Sequence, residues 1–566
     1  MNILGVCART HDSSSALIKN GAFIGFLEED RLTGEKHTKG FPEKGITRLL
    51  DSANLSLDDI DIVAYTFDAS LYDAGRQEAT ETVSDDKERN AKSIASYHAV
   101  ELYHDETVAI IKAKFPDAKI IEVPHHYCHA LSGIAPRGWK DCDILVIDSI
   151  GEGATISSGS YLSKTKDIKL EAINFDTDSL GYVYGAVTDH LGYKMRDSEG
   201  TVMALAALGD PSRFRNLFKE VVYYVDGKIK VNTSYIKKRV FMDSGDRLTN
   251  RFVDETFERR LVDGLLNQDH KDLAAALQER TTELILSLLG NGWREHELCV
   301  VVGGVATNCW AMGVAREKIY PDELYVPPCP GDGGTSLGAA LYVELEMGKT
   351  VAVPYNPYWG VKIPMPSERE LSELSAKPVL STDEKIVKII SNSLAHGKIV
   401  GVLRDLPEAG PRALGHASIF ASPQTSGVLD RLAIEIKKRE PFRPFAPIIT
   451  SDNASSLFNT MGCDCPYMSY AVKANSEAIS SYPQIIHNNN TARLQTVKMD
   501  NVFLTDMLRE FEKLTGGQII INTSFNPKGK PTCGRWEDAI TYSKEMGLDM
   551  LVLGNYIIDK KALHAK

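Results

Sequence analysis

The sequence predicts an α/β protein of two domains, from the chain length, a repeated strand–turn–strand unit and a proline-rich stretch past the middle. At 566 residues the chain exceeds what one hydrophobic core usually supports. Four prolines fall within residues 351–366, a composition typical of a linker. We therefore expect one domain over residues 1–350 and a second over residues 367–566.

The N-terminal domain is predicted to contain an internal duplication. Residues 2–6 have a strand pattern, a polar turn follows, and Asn20-Gly21 joins two further apolar runs as a hairpin. Residues 143–162 repeat this unit, because a strand ends in Asp148, a turn of small residues follows and a second strand returns. Two related lobes of this kind suit a nucleotide cleft, since such turns offer backbone N–H groups to phosphates.

Glycine-rich turns after two later strands extend this interpretation. Residues 299–302 lead into Gly303-Gly304, and residues 324–326 lead into the turn that contains Asp332. Glycine lets the backbone approach a ligand closely. Taken alone, each turn is explained more simply as a plain connection from strand to helix. The candidate nucleotide-binding residues of this domain are Asp12, Ser13, Gly303, Gly304 and Asn308.

A histidine pair indicates a metal site. His125 and His129 are four residues apart in a predicted helix, so that they share a face and can hold one cation. Asp148 and Asp332 follow strands that end at the expected cleft, and they complete a set suited to iron, manganese or zinc. The alternative is a cluster of histidines that serves only the start of the helix.

The C-terminal domain carries basic residues in an unusual setting. Residues 408–415, which include Arg412, are predicted to form a turn that leads into a helix. In residues 437–447 cations alternate with prolines and aromatic residues, which hold side chains in place for a small phosphorylated ligand. A buried strand then ends in amides and hydroxyls. These patterns select Arg412, Lys437, Arg439, Arg443, Asn522, Thr523, Ser524 and Asn526.

These motifs resemble those of the O-carbamoyltransferases of the antibiotic and nodulation type, over essentially the whole chain. In that family a domain related to the tRNA threonylcarbamoyl transferase precedes one related to the threonylcarbamoyl-adenylate synthase. The segments that carry the resemblance are His11-Asp12-Ser13, Glu28-Glu29-Asp30-Arg31, His125-x3-His129, Asp148, Gly303-Gly304 with Asn308, Asp332, Gly410-Pro411-Arg412-Ala413-Leu414-Gly415, Arg443-Pro444-Phe445-Ala446-Pro447 and Asn522-Thr523-Ser524-Phe525-Asn526.

The resemblance implies a fold and a reaction. The N-terminal domain would be a duplicated domain of the actin-like and sugar-kinase-like type, and the C-terminal domain an α/β domain of the threonylcarbamoyl-adenylate synthase type. The C-terminal domain would join carbamoyl phosphate and ATP, bound with Mg²⁺, into carbamoyl adenylate. The N-terminal domain would then transfer the carbamoyl group to a hydroxyl. The divalent metal is expected to be Fe²⁺ rather than Mn²⁺ or Zn²⁺.

The resemblance also implies roles for individual residues. His11 would take the proton of the acceptor hydroxyl, although it is equally well explained as a turn residue from the sequence alone. Arg412, Lys437, Arg443 and Arg493 would neutralise phosphate oxygens, and Ser524 would help to orient the nucleotide. Two positions depart from the family pattern, because Thr201 and Ala417 stand where basic residues are usual.

Other functions remain as alternatives. They are threonylcarbamoyl-type modification of tRNA, carbamoylation of hydroxymethylated bases in DNA, and nucleotide sensing without chemistry. The net charge of −12 argues against broad binding to a phosphate backbone, although a local basic groove stays possible. A small natural-product or sugar hydroxyl is the acceptor that the resemblance implies. Residues 80–92 and 223–260 are expected to set acceptor specificity. We expect a cytoplasmic protein with no membrane partner, and leave a homodimer open.

Overall fold

The structure is a computed structural model that describes residues 1–73, 77, 87–240, 247–257, 267–290, 292–293, 295–318, 323–373 and 379–563. The chain divides into two compact units. The first contains Met1–Ile24 and Lys39–Tyr355, and the second contains Gly25–Thr38 and Asn356–Lys566. The second unit therefore includes a short N-terminal segment, Gly25–Thr38, which the sequence does not reveal.

The strands of the first unit form two five-stranded sheets and a two-stranded ribbon. They are β1 (Asn2–Cys7), β2 (Ser14–Lys19), β3 (Ala22–Glu28, which continues into the second unit), β4 (Ile62–Tyr65), β5 (Lys119–Glu122), β6 (Cys142–Ile147), β7 (Ala154–Leu162), β8 (Asp167–Phe175), β9 (Val222–Val225), β10 (Lys228–Val231), β11 (Cys299–Val302) and β12 (Leu324–Tyr325).

The two five-stranded sheets have the same strand order. One runs β3-β2-β1-β4-β5 and the other β8-β7-β6-β11-β12. In each sheet the central strand pairs antiparallel with the next strand of the chain and parallel with a later one. Asn20 and Gly21 both have positive φ, as a two-residue hairpin turn requires, so the sequence prediction of this hairpin is confirmed.

The α-helices of the first unit follow or flank these sheets. They are Glu43–Ala53, Lys87–Lys114, His125–Ile134, Leu180–His190, Glu199–Ala206, Arg215–Val221, Asn250–Glu255, Gln268–Leu289, Cys309–Lys318 and Thr335–Glu346. Helices His125–Ile134 and Thr335–Glu346 pack against each other. At their crossing a Cβ on Gly338 would overlap the carbonyl oxygen of Cys128, so glycine permits the close approach.

The second unit contains one eight-stranded sheet and a two-stranded ribbon. The sheet order is β13-β22-β21-β14-β15-β20-β16-β19. The strands of this unit are β13 (Val379–Leu380), β14 (Val400–Leu403), β15 (Ala417–Ala421), β16 (Ala446–Thr450), β17 (Ala471–Lys473), β18 (Thr491–Arg493), β19 (Gln495–Val497), β20 (Ile520–Ser524), β21 (Met550–Leu553) and β22 (Tyr556–Asp559).

Two amphipathic helices cover the core of this sheet. Asp383–Ala395 and Val502–Thr515 both contribute buried apolar side chains at helical spacing to one cluster with the strand residues. The other α-helices of the second unit are Asp30–Thr33, Glu368–Glu373, Val428–Arg431, Ser451–Leu457, Ser476–Ser481, Trp536–Met546 and Lys560–Leu563.

Residues 408–415 lead into strand β15, and the predicted helix after this turn is wrong. Ala417–Ala421 is a fully buried run of five residues that pairs with β14 on one side and β20 on the other. A run this short favours a central strand. Residues 351–366 contain neither helix nor strand, and Trp359 and Ile363 are buried there.

Hydrophobic helices long enough to cross a membrane are absent from the part of the chain that the structure describes.

Candidate functional site

Two histidines in the first unit, His125 and His129, point their Nε2 atoms towards each other. His125 and His129 begin the helix that follows β5, and the four-residue spacing places both on one face. Their Nε2 atoms lie 3.0 Å apart, and both side chains are buried. The predicted helix is confirmed, and the two histidines lie on one face of it as expected.

Two carboxylates face these histidines. Asp148 follows β6, and Asp332 opens a 3₁₀ turn before the helix Thr335–Glu346. His125 Nε2 lies 3.8 Å from an oxygen of Asp148, and both histidines lie 3.7 Å from Oδ1 of Asp332. One ligand atom of each of the four residues lies within 4.8 Å of the other three. We call this group the His/Asp cluster.

Backbone carbonyl and N–H groups contact three of the four residues of the His/Asp cluster. His129 Nδ1 lies 3.0 Å from the carbonyl oxygen of Pro330, to which it donates as Nδ1–H, and the Nε2 lone pair is then left for the cluster. His125 Nδ1 is 3.4 Å from the carbonyl oxygen of Thr66. Gly304 donates its N–H to Oδ1 of Asp148 at 2.9 Å. The donor set and its support therefore fit a divalent cation.

The charges within the cluster shift its pKa values strongly. Burial lowers the pKa of His125, but the carboxylates of Asp148 and Asp332 outweigh burial and raise it well above its usual value. Burial and the charge of His125 lower the pKa of His129 to about 4. Burial would raise the pKa of Asp148, yet the two histidines hold it below its usual value. The cluster thus favours one positive charge between two carboxylates.

Glu152 is a member of the site that the sequence analysis missed. Its buried Oε1 accepts the N–H of His125 at 2.9 Å and the N–H of Asp68 at 3.0 Å. This carboxylate fixes the start of the histidine helix, which has no side-chain cap of its own. Phe67 stacks on the ring of His125 with centroids 4.7 Å apart. The sequence signal for Glu152 was only its place in the small-residue turn after Asp148.

His11 lies next to the His/Asp cluster. Its backbone N–H donates to Asp332 Oδ2 at 3.3 Å. Its ring Nδ1 is 2.9 Å from a carboxylate oxygen of Asp12, and Nε2 is 2.6 Å from the carbonyl oxygen of Arg196. Both ring nitrogens face acceptors in this conformation. One ring nitrogen of His11 must therefore move away from its oxygen partner before it can accept a proton from a substrate.

The other predicted nucleotide residues of the first unit have structural contacts. Ser13 Oγ donates to the carbonyl of Gly40 at 2.5 Å. Gly303 has a φ of 93°, and a Cβ there would overlap the carbonyl of Ile147. Asn308 Nδ2 donates to Oε1 of the buried Gln278 at 3.0 Å, and its Oδ1 accepts the N–H of Ala311 at the start of a helix.

A cluster of cations lies in the second unit. Lys437 is buried, and its Nζ donates to the carbonyl and side-chain oxygens of Ser524 and Asn526, at 2.5 to 3.4 Å. Burial, and then the charges of Arg439, Arg443 and Lys36, hold the pKa of Lys437 well below its usual value. In this conformation Lys437 fixes the end of β20.

Arg439 is held beside two further arginines. Its guanidinium stacks on Phe445, 3.6 Å from the ring centroid, and donates to the carbonyls of Arg443 and Pro444. Burial, and then the charges of Arg443 and Arg493, lower the pKa of Arg439 well below its usual value. We call Lys437, Arg439, Arg443 and Arg493 the cation cluster. The repulsion between these basic groups favours the binding of an anion among them.

The polar end of β20 is used partly for packing. Asn522 is buried, and its Nδ2 donates to the carbonyl of Ala413 at 3.0 Å and to Oε1 of Gln495 at 2.7 Å. Ser524 Oγ donates to Asn526 Oδ1 at 2.6 Å. Thr523 pairs with Ile419 on β15. The structure thus brings this strand end, Lys437 and the turn at residues 408–415 together within the second unit.

The two positions that depart from the family pattern are buried. Thr201 lies in the helix Glu199–Ala206, and Ala417 begins β15 and donates its N–H to Glu408 at 3.0 Å. Of the segments expected to set acceptor specificity, residues 80–86, 241–246 and 258–260 lie outside the described residues. The rest of the first segment belongs to the helix Lys87–Lys114.

The fold and the site define an α/β protein with a His/Asp cluster in one unit and a cation cluster in the other. The family model "Carbamoyltransferase N-terminus" matches residues 2–341, and "Carbamoyltransferase C-terminus" matches residues 391–560. The chain belongs to the carbamoyltransferase family, and the expected resemblance is confirmed.

Relatives of known name agree with this family. The nodulation protein NolNO of Sinorhizobium fredii is 30% identical over 569 residues, which cover 97% of this chain and 79% of the relative. The 3'-hydroxymethylcephem-O-carbamoyltransferase of Amycolatopsis lactamdurans is 27% identical, covering 81% of this chain and 84% of the relative. Among solved structures, T. kodakarensis HypF matches 61% of this chain and 48% of its own, at 14% identity and a TM-score of 0.32.

Proposed function

We propose that this protein is an ATP-dependent O-carbamoyltransferase that makes carbamoyl adenylate in its second unit and uses it in its first. Water would release phosphate from carbamoyl phosphate to leave carbamate. A carbamate oxygen would attack the α-phosphorus of ATP and expel pyrophosphate. The acceptor hydroxyl would then attack the carbamoyl carbon, with AMP as the leaving group and one proton released.

The cation cluster is the observation that carries the first half of this proposal. Carbamoyl phosphate and ATP are both anions. The basic groups of the cation cluster lie close enough that Arg443 lowers the pKa of both Lys437 and Arg439, so a bound anion would relieve this repulsion. Arg443 and Arg493, with Arg412 on the adjacent turn, would contact phosphate oxygens. Lys437 would act differently, since its Nζ donates to Ser524 and Asn526 and would hold both residues in place for the nucleotide.

The His/Asp cluster supports the second half. The divalent metal would be held by His125, His129, Asp148 and Asp332. We propose Fe²⁺ as this metal, with Mn²⁺ and Zn²⁺ as the alternatives. A divalent cation bound there supplies positive charge that polarises a carbonyl or phosphoryl oxygen.

His11 would take the proton of the acceptor once its Nε2 leaves the carbonyl of Arg196. Asp12 would keep the ring oriented through Nδ1, as a carboxylate does for a histidine base. A nucleotide bound in this unit would contact the turns that contain Ser13, Gly303, Gly304 and Asn308.

The two matching sheets support a duplicated first unit of the actin-like and sugar-kinase-like type. We propose that it spans about residues 1–350, with a carbamoyl-adenylate-forming domain of the synthase type after residue 366.

A small hydroxyl compound is the acceptor we propose. The O-carbamoyltransferase relative from Amycolatopsis lactamdurans is named for a hydroxymethylcephem, which offers a primary alcohol. A hydroxymethylated base in DNA offers the same group.

The test is product analysis with purified protein, ATP, Mg²⁺ and carbamoyl phosphate. We expect pyrophosphate release that depends on carbamoyl phosphate, and AMP with carbamoylated product when a hydroxyl acceptor is added. A panel of hydroxymethylcephem, oligosaccharide and hydroxymethylcytosine DNA separates the acceptors by mass spectrometry. Absence of pyrophosphate release would refute the proposal, and product from DNA alone would replace the small-molecule acceptor.

A further inference from the structure

The turn that contains Arg412 is bound by two side chains of the N-terminal segment Gly25–Thr38, which are Glu28 and Arg31. Arg31 Nε lies 3.0 Å from Glu28 Oε2, and the same oxygen accepts the N–H of Gly410 at 3.0 Å. Arg31 Nη2 donates to the carbonyl oxygen of Gly410. Both polar groups of the Gly410 residue are therefore held by one ion pair.

A second acid closes the other end of the turn. The buried Glu408 accepts three backbone N–H groups on Oε1, from Leu414 at 2.9 Å, His416 at 2.8 Å and Ala417 at 3.0 Å. Its other oxygen, Oε2, lies 3.8 Å from Arg31 Nη1. Arg31 thus joins both ends of the turn, with Arg412 between them.

The carbonyl groups inside the turn are also bound. Asn522 donates to the carbonyl of Ala413 at 3.0 Å. The carbonyl of Leu414 accepts from Gln495 at 3.0 Å and from the hydroxyl of Tyr358 at 3.0 Å. Gly410 adopts a φ of 89°, which glycine reaches without the steric cost that a side chain would bring. The turn is therefore preorganised before any ligand arrives.

We propose that Arg31, paired with Glu28, is a positioning residue that presents Arg412 to the phosphate group of carbamoyl phosphate. This inference rests on the proposed function of the second unit. Only arginine suits the position, because its planar guanidinium reaches a carboxylate, a carbonyl and a second carboxylate in three directions. Lysine would keep the charge but lose this geometry.

The test measures the affinity of the full-length protein for carbamoyl phosphate by calorimetry, without turnover. We expect Arg31→Lys to weaken binding about tenfold, in protein that circular dichroism shows to be folded at the temperature of the measurement. Arg431→Lys is the matched control, because Arg431 makes a bidentate pair with Asp549 and a bond to the Gly547 carbonyl in the same unit. This control should bind as the wild type does.

A double-mutant comparison separates positioning from general damage. In an Arg412→Ala background, Arg31→Lys should change the affinity by less than about twofold, because its effect is transmitted through Arg412. A full tenfold loss in that background would overturn the proposal, and so would equal binding by wild type and Arg31→Lys.

If Arg31→Lys does not fold, Glu28→Gln provides the same test. The amide keeps an acceptor for Gly410 but lacks the charge that orients Arg31, so we expect about threefold weaker binding. Unchanged affinity in Glu28→Gln would overturn the proposal. Wild-type protein that binds carbamoyl phosphate but releases no pyrophosphate would refute the proposed function alone.

Discussion

The Nε2 atoms of His125 and His129 lie 3.0 Å apart inside a buried site, with Asp332 Oδ1 3.7 Å from each of them. Two imidazole nitrogens approach this closely when a proton or a metal ion lies between their lone pairs. The Nδ1 bond of His129 to the Pro330 carbonyl keeps its proton on the far side of the ring. The pair can therefore share a proton or a divalent metal ion between its Nε2 atoms.

Replacement of one histidine tests this arrangement. We expect His129→Gln to reduce bound divalent metal from about one ion per chain to less than about a tenth of that, since one of four ligands is lost. Metal content is measured by mass spectrometry on protein purified without chelators. His126→Gln is the control on the same helix, because His126 Nδ1 contacts Ser157 Oγ at 2.6 Å instead of the cluster. Equal metal loss in both variants would contradict the assignment.

The packing behind the histidine helix gives a stability prediction. Gly338→Ala places a methyl group on the carbonyl oxygen of Cys128, so we expect a loss of about 2 kcal/mol or more in the free energy of unfolding. Gly200→Ala is the control, because nothing lies near the added carbon and the helix gains up to about 1 kcal/mol. Urea unfolding of both variants measures the difference. A neutral Gly338→Ala would show that the two helices can separate.

Local patterns were enough to predict several parts of the site. The four-residue spacing of His125 and His129 fixes a shared helical face, and Asp148 ends an apolar strand that had to be buried. The hairpin at Asn20-Gly21 follows from its turn residues. These features depend on neighbours in the sequence.

Contacts between distant residues could not be predicted in this way. Arg31 and Gly410 are 379 positions apart, and no spacing rule connects them. Glu152 and Glu408 act on backbone N–H groups, which have no sequence signature. Lys437 was interpreted as a phosphate contact from its charge, but its Nζ donates to oxygens of Ser524 and Asn526. The direction of a long side chain is set by tertiary packing.

The cation cluster predicts binding of inorganic phosphate. We expect phosphate at ten times its dissociation constant to stabilise the wild type by about 1.4 kcal/mol, seen as a higher unfolding temperature. Arg443→Gln should lose most of this stabilisation, because Arg443 is partly exposed within the cluster and available to a ligand. Arg509→Gln, which replaces an exposed arginine of the same unit, should keep the stabilisation by phosphate. An equal response in all three proteins would show that phosphate binds elsewhere.

The pair of His104 and Glu122 predicts a pH-dependent contribution to stability. His104 is buried with its Nε2 3.0 Å from Glu122 Oε2. Burial lowers the pKa of His104, but the hydrogen bond and charge of Glu122 outweigh burial and raise it above 6.5. The hydrogen bond from His104 lowers the pKa of Glu122 below 4.5.

The sign of the effect follows from these two shifts. The histidine contribution is complete below its unfolded pKa of about 6.5 and is lost as pH rises through the higher folded value. The glutamate contribution is lost only as pH falls through its lowered value. His104→Gln should therefore destabilise the protein by about 1 kcal/mol near pH 6, and by less at pH 9. Urea unfolding of both proteins at the two pH values measures this, and a larger loss at pH 9 would show that His104 is buried as the neutral form.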